Sequence, residues 1–179
     1  MDLKVDFEQA VIAVGKIDFS NTEDEDIKLF ETTTRYLGGL LAAYDLTDGK
    51  PEMLLEKAVQ LGDMLYAAFD TSNRMPVTRW KWERAKKDVE MSLIFGVLVA
   101  ELGSLFLEFT RISQLTGDDK YFDAVQRIAD KFEKVQPHTK LPGMWPTVVN
   151  TMREDFGDDT GFTSSAMADS VYEYLPKVL

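Results

Sequence analysis

The sequence predicts an all-α chain built from repeated helical hairpins. Three observations carry that prediction. Apolar residues recur at helical spacing along nearly all of the 179 residues. Short phrases return further on: Leu46-Thr47 as Leu115-Thr116, and Ala58-Val59-Gln60 as Ala124-Val125-Gln126. Helices are expected to begin near 24, 92 and 162, a period close to seventy residues. Such a period marks a unit that buries its face only against its neighbours. Arrays of this kind form open solenoids or closed α/α toroids, and periodicity does not choose between them. The third helix has no following partner in this repeat, which implies a missing one.

The first expected helix runs from Asp24 to Tyr44. Ser20, Asn21 and Thr22 offer caps ahead of it, and Ile27, Phe30, Leu37, Leu41 and Tyr44 form one stripe. A turn at Asp48-Gly49-Lys50-Pro51 leads into Glu52 to Phe69, with Leu54, Leu55, Ala58, Leu61, Met64 and Leu65 inward. A polar loop follows, then an apolar helix over 91–115 and a turn at Thr116-Gly117-Asp118-Asp119. An amphipathic helix comes next, from Lys120 to Val135. Between Pro137 and Val149, three prolines and a glycine precede β-branched residues, so a loop with a short strand or hairpin near 141–150 is expected. The last helix covers roughly Thr163 to Leu175, and Pro176 marks its expected end. Residues 1–179 have the length of one domain with a real core.

Composition removes several function classes. A net charge of −11 and a pI near 4.6 argue against nucleic acid as a partner. Without cysteine there is no disulfide framework and no zinc–thiolate site. The start, Met1-Asp2-Leu3-Lys4-Val5-Asp6, lacks the apolar stretch of a signal peptide, and there is no Asn-X-Ser/Thr sequon. One run, Met91 to Phe109, carries only Glu101 and Glu108 as charges. A carboxylate near the middle of a membrane span is expensive, so a buried helix of a soluble domain explains the run better, with no membrane partner.

Carboxylates in apolar surroundings are costly without a purpose, and three of them follow the period. Glu31 and Glu101 are 70 residues apart, and Glu101 and Asp169 are 68 apart. On inner helices of a barrel they would project into one cavity, with Arg35 one turn after Glu31 and Glu108 two turns after Glu101. Such a cavity suits sugar hydroxyls and glycoside hydrolysis, where one carboxylic acid protonates the leaving oxygen and another carboxylate activates water. Each residue also has a plainer reading. Glu31 and Arg35 fit an ordinary i,i+4 ion pair. Glu101 and Glu108 fit acceptors for neighbouring backbone donors, and Asp169 fits a cap or helix cross-link. Gly38-Gly39 fits close helix contact, and Trp80 and Trp82 fit either sugar stacking or a loop staple.

Longer motifs add to this. Leu29-Phe30-Glu31-Thr32-Thr33-Thr34-Arg35-Tyr36-Leu37-Gly38-Gly39 and the stretch from Phe162 to Leu175 around Asp169 resemble inner-helix motifs of glycoside hydrolase family 47, the class I α-1,2-mannosidases. Leu61-Gly62-Asp63-Met64-Leu65, the stretch from Leu107 to Asp118, and Leu141-Pro142-Gly143-Met144-Trp145-Pro146 extend the resemblance through nearly the whole chain. Asn73-Arg74-Met75-Pro76 is most similar to the fungal branch. The resemblance implies an (α/α)7 barrel, of which residues 1–179 would be an incomplete segment. It implies an inverting exo-α-1,2-mannosidase acting on N-glycan or glycoprotein mannose, in the secretory pathway or secreted. Glu31 is implied as the general acid and Asp169 as a second catalytic carboxylate. Arg35 and Glu101 are implied as substrate-binding residues. Calcium is implied as cofactor, although the threonine that anchors it in the family is not found here, so no metal ligand is assigned. Ser164, Ser165 and Met167 depart from the family pattern, Met167 standing where many members carry arginine. The competing expectation is a catalytically inactive remnant that binds glycan or protein. In either case, association through unfinished barrel edges is expected.

Overall fold

A computed structural model describes residues 3–22, 26–82, 87, 91 and 96–178. It is mostly helical with a few two-residue strands. In order, the described elements begin with α1 (Lys4–Gly15), β1 (Ile27–Lys28) and α2 (Leu29–Thr32), then a π turn (Thr33–Leu37) and α3 (Gly38–Leu46). Next come α4 (Glu52–Tyr66), a 3-10 turn (Ala67–Phe69), β2 (Arg79–Trp80) and β3 (Val97–Leu98). The second half holds α5 (Val99–Gly103), α6 (Phe106–Thr116), α7 (Asp119–Val135), a 3-10 turn (Gln136–His138), β4 (Val148–Val149) and α8 (Asp169–Val178).

The two outer helices form as their patterns dictate. On α7, Tyr121, Ala124, Val125, Ile128 and Phe132 are all buried, one stripe at helical spacing. The Asp118 side chain caps the helix by accepting from the Lys120 amide at 3.1 Å. On α4 the buried stripe is Leu54, Ala58, Leu61, Met64 and Leu65, while Leu55 is half-buried. The α3–α4 and α6–α7 hairpins each pack internally, and aromatic contacts run between them through Phe69, Phe109 and Tyr121. Asp63 ties the outer pair, accepting from the Tyr121 hydroxyl at 2.7 Å and pairing with Lys120 at 2.8 Å.

The inner helices differ from expectation in instructive ways. Positions 24 and 92 lie outside the described residues, and the helices start later, at Leu29, Val99 and Asp169, in even steps of 70. A two-residue strand precedes each of the first two. β1 pairs antiparallel with β2, and β3 with β4, so the expected strand near 141–150 pairs with Val97-Leu98 rather than folding into a local hairpin. The expected helix from Asp24 to Tyr44 contains a π turn. The expected helix over 91–115 breaks at Ser104, between α5 and α6. Pro176 lies inside α8 instead of ending it. Helix α1 carries no buried residue and packs against α4; no sequence signal singled it out.

Adjacent units meet along their inner helices. Arg111 of α6 grips Asp45 of α3 with two hydrogen bonds of 2.9 and 2.7 Å, the bidentate geometry of guanidinium on carboxylate. The tightest seam is between α5 and α8. A Cβ built on Gly103 would stand 2.1 Å from Val171 Cγ2 and 3.0 Å from Phe132. Only glycine permits that approach, and Gly103→Ala should destabilise the fold by about 1–3 kcal/mol through overpacking. Urea unfolding followed by circular dichroism checks this, and an unchanged midpoint would remove Gly103 as the seam.

Candidate functional site

The first two inner helices each enter from a strand, and the ends of β1 and β2 border a cavity of about 750 Å³. The lining includes Lys28 of β1, Glu31 of α2, Arg35 and Tyr36 of the π turn, Arg79 of β2 and Glu101 of α5. The segment after α1 and the inward face of α4 complete it, through Phe19, Leu61 and Met64 among others. The surface is therefore part apolar and part charged.

Two acid–arginine pairs face this space. Glu31 and Arg35 form an ion pair one helical turn apart, both side chains partly exposed. The Glu31 carboxylate raises the Arg35 pKa above its ordinary value, chiefly through the hydrogen bond between them. Glu101 is more sheltered, with its side chain 20% exposed, and stands 4.0 Å from the Arg79 guanidinium. That distance is an ion pair without a hydrogen bond, so Glu101 retains free acceptor positions. Glu31 and Glu101 each occupy the third residue of their helix, which places them equivalently in successive units.

Three of the four residues singled out in the sequence thus come together: Glu31, Arg35 and Glu101. Asp169 does not line this cavity. It is the exposed first residue of α8, with Oδ1 accepting from the Ser170 amide at 2.9 Å. In the 70-residue frame its equivalents are Leu29 and Val99, and Val171 takes the place of the other two acids. The 68-residue spacing therefore puts Asp169 two positions upstream of Glu31 and Glu101. Its neighbour Met167 is exposed and adopts a left-handed backbone at φ 79°, with its carbonyl accepting from the Ala100 amide of α5.

Sequence reasoning missed Arg79. It reaches Glu101 only because β2 lies beside β1, and no local spacing announces that. The tryptophans divide: Trp80 is buried, whereas the Trp82 indole donates to the Ser20 carbonyl at 2.6 Å and fastens the loop ahead of β1. His138 is exposed. Among the described residues, no group of three or more histidine, cysteine, aspartate or glutamate side chains converges as a metal site. None of the described helices is long and apolar enough to cross a membrane.

Comparison with known proteins agrees with this architecture. The sequence profile of glycosyl hydrolase family 47 matches residues 1–179. A probable mannosyl-oligosaccharide α-1,2-mannosidase 1B of Aspergillus fumigatus is 37% identical over 178 residues, covering 92% of this chain and 35% of its own length. The human endoplasmic reticulum mannosyl-oligosaccharide 1,2-α-mannosidase is 35% identical over 188 residues, 99% of this chain and 24% of that protein. Among solved structures, the α-1,2-mannosidase of Trichoderma reesei superposes with a TM-score of 0.79 at 32% identity, over 98% of this chain and 39% of that one. The fold is that of the (α/α)7 mannosidase barrel, and this chain spans about a third of the length of the fungal relatives it matches. By profile, sequence identity and fold alike, the chain belongs to glycosyl hydrolase family 47.

Proposed function

We propose that this chain forms one wall of the substrate cavity of an inverting exo-α-1,2-mannosidase acting on the mannose of N-glycans or other glycoproteins. One observation carries the reading: two acid–arginine pairs, whose carboxylates occupy equivalent positions of successive units, face a single cavity of about 750 Å³. A pyranose presents hydroxyls in fixed directions, and carboxylate acceptors paired with guanidinium donors match them. In this reading Glu31 is the general acid that gives its proton to the glycosidic oxygen. Asp169 is the second catalytic carboxylate, positioning or activating water on the opposite face of the sugar. Arg35 holds the substrate beside the acid, and Glu101 accepts from ring hydroxyls.

Calcium belongs to the same reading as the family's cofactor. Among the described residues no three or more histidine, cysteine, aspartate or glutamate side chains converge to hold it, and no step derived from this chain runs through the ion. The compartment that goes with the reading is the lumen of the secretory pathway or the cell exterior. Because the chain covers about a third of its fungal relatives, the remaining hairpins of the barrel are part of the proposal. A second reading, a glycan-binding segment without catalysis, is favoured by the position of Asp169 outside the cavity.

In a chain that carries the whole barrel, Glu31→Gln should lower mannose release from a high-mannose oligosaccharide by about 10²–10⁴-fold while leaving binding nearly intact. The amide keeps shape and acceptor but has no transferable proton. Release at the unmodified rate would remove Glu31 from the acid role. The 179-residue chain alone should show no turnover, and measurable mannose release from it would overturn the proposal that the remaining hairpins of the barrel complete the site.

Binding is a separate matter. Arg35→Ala and Glu101→Gln should each weaken binding of an α-1,2-linked mannose disaccharide by roughly tenfold, the scale of one charge-assisted hydrogen bond. Titration calorimetry measures it, and unaltered affinity in both variants would empty the cavity of its assigned role.

The edges of the segment should also associate. Val5 and Ile12 on α1 are 65% and 61% exposed, and Leu3, Phe7 and Ile17 lie open nearby. Sedimentation of the 179-residue chain should show self-association that rises with concentration. A monomer at all concentrations would contradict this.

A further inference from the structure

Glu108 is a carboxylate that the cavity does not use. It projects from α6 between two other inner helices. From α8, the Tyr174 hydroxyl donates to Glu108 Oε1 at 3.0 Å. On the α3 side the carboxyl group lies over Gly38, where an added Cβ would stand 3.2 Å from Oε1. The adjacent Gly39 has open space, so of the glycine pair only Gly38 is fitted to a neighbour. The second oxygen, Oε2, is buried without a hydrogen-bond partner. A buried polar atom left unsatisfied costs free energy, and a stability argument alone would favour an apolar residue here.

We propose that Glu108 is a positioning residue: through Tyr174 it seats α8, the helix that begins with Asp169, against the two inner helices before it. The reading of the cavity supplies the reason for holding Asp169, and to that extent the proposal rests on it. The junction itself stands on the geometry. The groups facing Glu108 are Tyr174 and Lys177 of α8; α3 presents Gly38, and Asp45 on that helix is engaged by Arg111. Among the described residues, α4 and α7 place no charge that perturbs it.

This junction should respond to pH. Burial raises the Glu108 pKa and outweighs its hydrogen bonds and the attraction of Lys177. The folded chain therefore holds the proton at pH values where the unfolded chain has released it. The associated stability is full below the ordinary carboxyl range and is lost as pH rises through the folded value.

Amide hydrogen exchange of the 179-residue chain between about pH 4 and pH 8, corrected for intrinsic rates, tests the proposal. Protection of Asp169–Val178 should fall as pH rises. Glu108→Gln keeps the acceptor for Tyr174 but cannot titrate, so that fall should vanish and protection near neutral pH should match or exceed the unmodified chain. Tyr174→Phe should reduce protection of this helix roughly tenfold at acid pH and leave α4 as before. Either a persistent pH slope in Glu108→Gln or full protection of α8 in Tyr174→Phe would overturn the assignment. No sugar enters these measurements, so their failure leaves the mannosidase reading standing, and failed mannose binding leaves the junction standing.

Discussion

Each of the first two inner helices begins at an amide that is already committed. Leu29 N–H donates to the Thr78 carbonyl, and Val99 N–H to the Thr147 carbonyl, both at 2.9 Å. The first amides of a helix have no partner within it, and here the returning chain supplies one at each entry. That single bond fixes where the helix starts, which strand lies beside it, and how the first turn is aimed. Two buried threonines hold the return loops in turn: Thr71 Oγ1 donates to the Met75 carbonyl and Thr139 Oγ1 to the Met144 carbonyl, at 2.7 and 2.8 Å. The first of these entries, through β1 and β2, brings Lys28 and Arg79 to the cavity rim.

The outer helices were legible because their solvent faces leave a clean stripe. Tyr121, Ala124, Val125, Ile128 and Phe132 could be read as one face with no knowledge of the fold. The inner helices were legible as helices but not in their bounds. Ile27-Lys28 and Val97-Leu98 are too short to show alternation, and their strand character comes from partners about fifty residues away. The break at Ser104 leaves no periodic mark in an apolar run, and the π turn over Thr33–Leu37 shifts the helix by too little to show in the pattern. Helix α1 has no fully buried residue, only Val11 and Val14 partly covered, so it offered no clear stripe.

The site divides in the same way. Glu31 and Arg35 were visible together because a helix turn brings i and i+4 together. Glu101 was visible as an acid in an apolar run, but its partner Arg79 was not, since strand pairing delivers it. Such solvent-screened ion pairs contribute little to stability. Their shared orientation toward one cavity therefore has little to do with holding the fold. Asp169 shows the limit of spacing arguments: a 68-residue step reads as a match to 70, yet two residues on a helix change the direction of a side chain by about 200°.

The paired strands have a consequence for how the chain is made. Ile27 meets Trp80 and Val97 meets Val149, so each unit closes on itself within about fifty residues. Loop closure over that distance is modest in entropic cost, and domains fold from the N-terminus as synthesis proceeds. The first unit can lock its register once Trp80 has emerged, before any of the second exists. The second then folds against a finished surface, with Asp45 waiting for Arg111. A ring built in this manner grows by templating, each turn inheriting its alignment from the one already on the ribosome's far side.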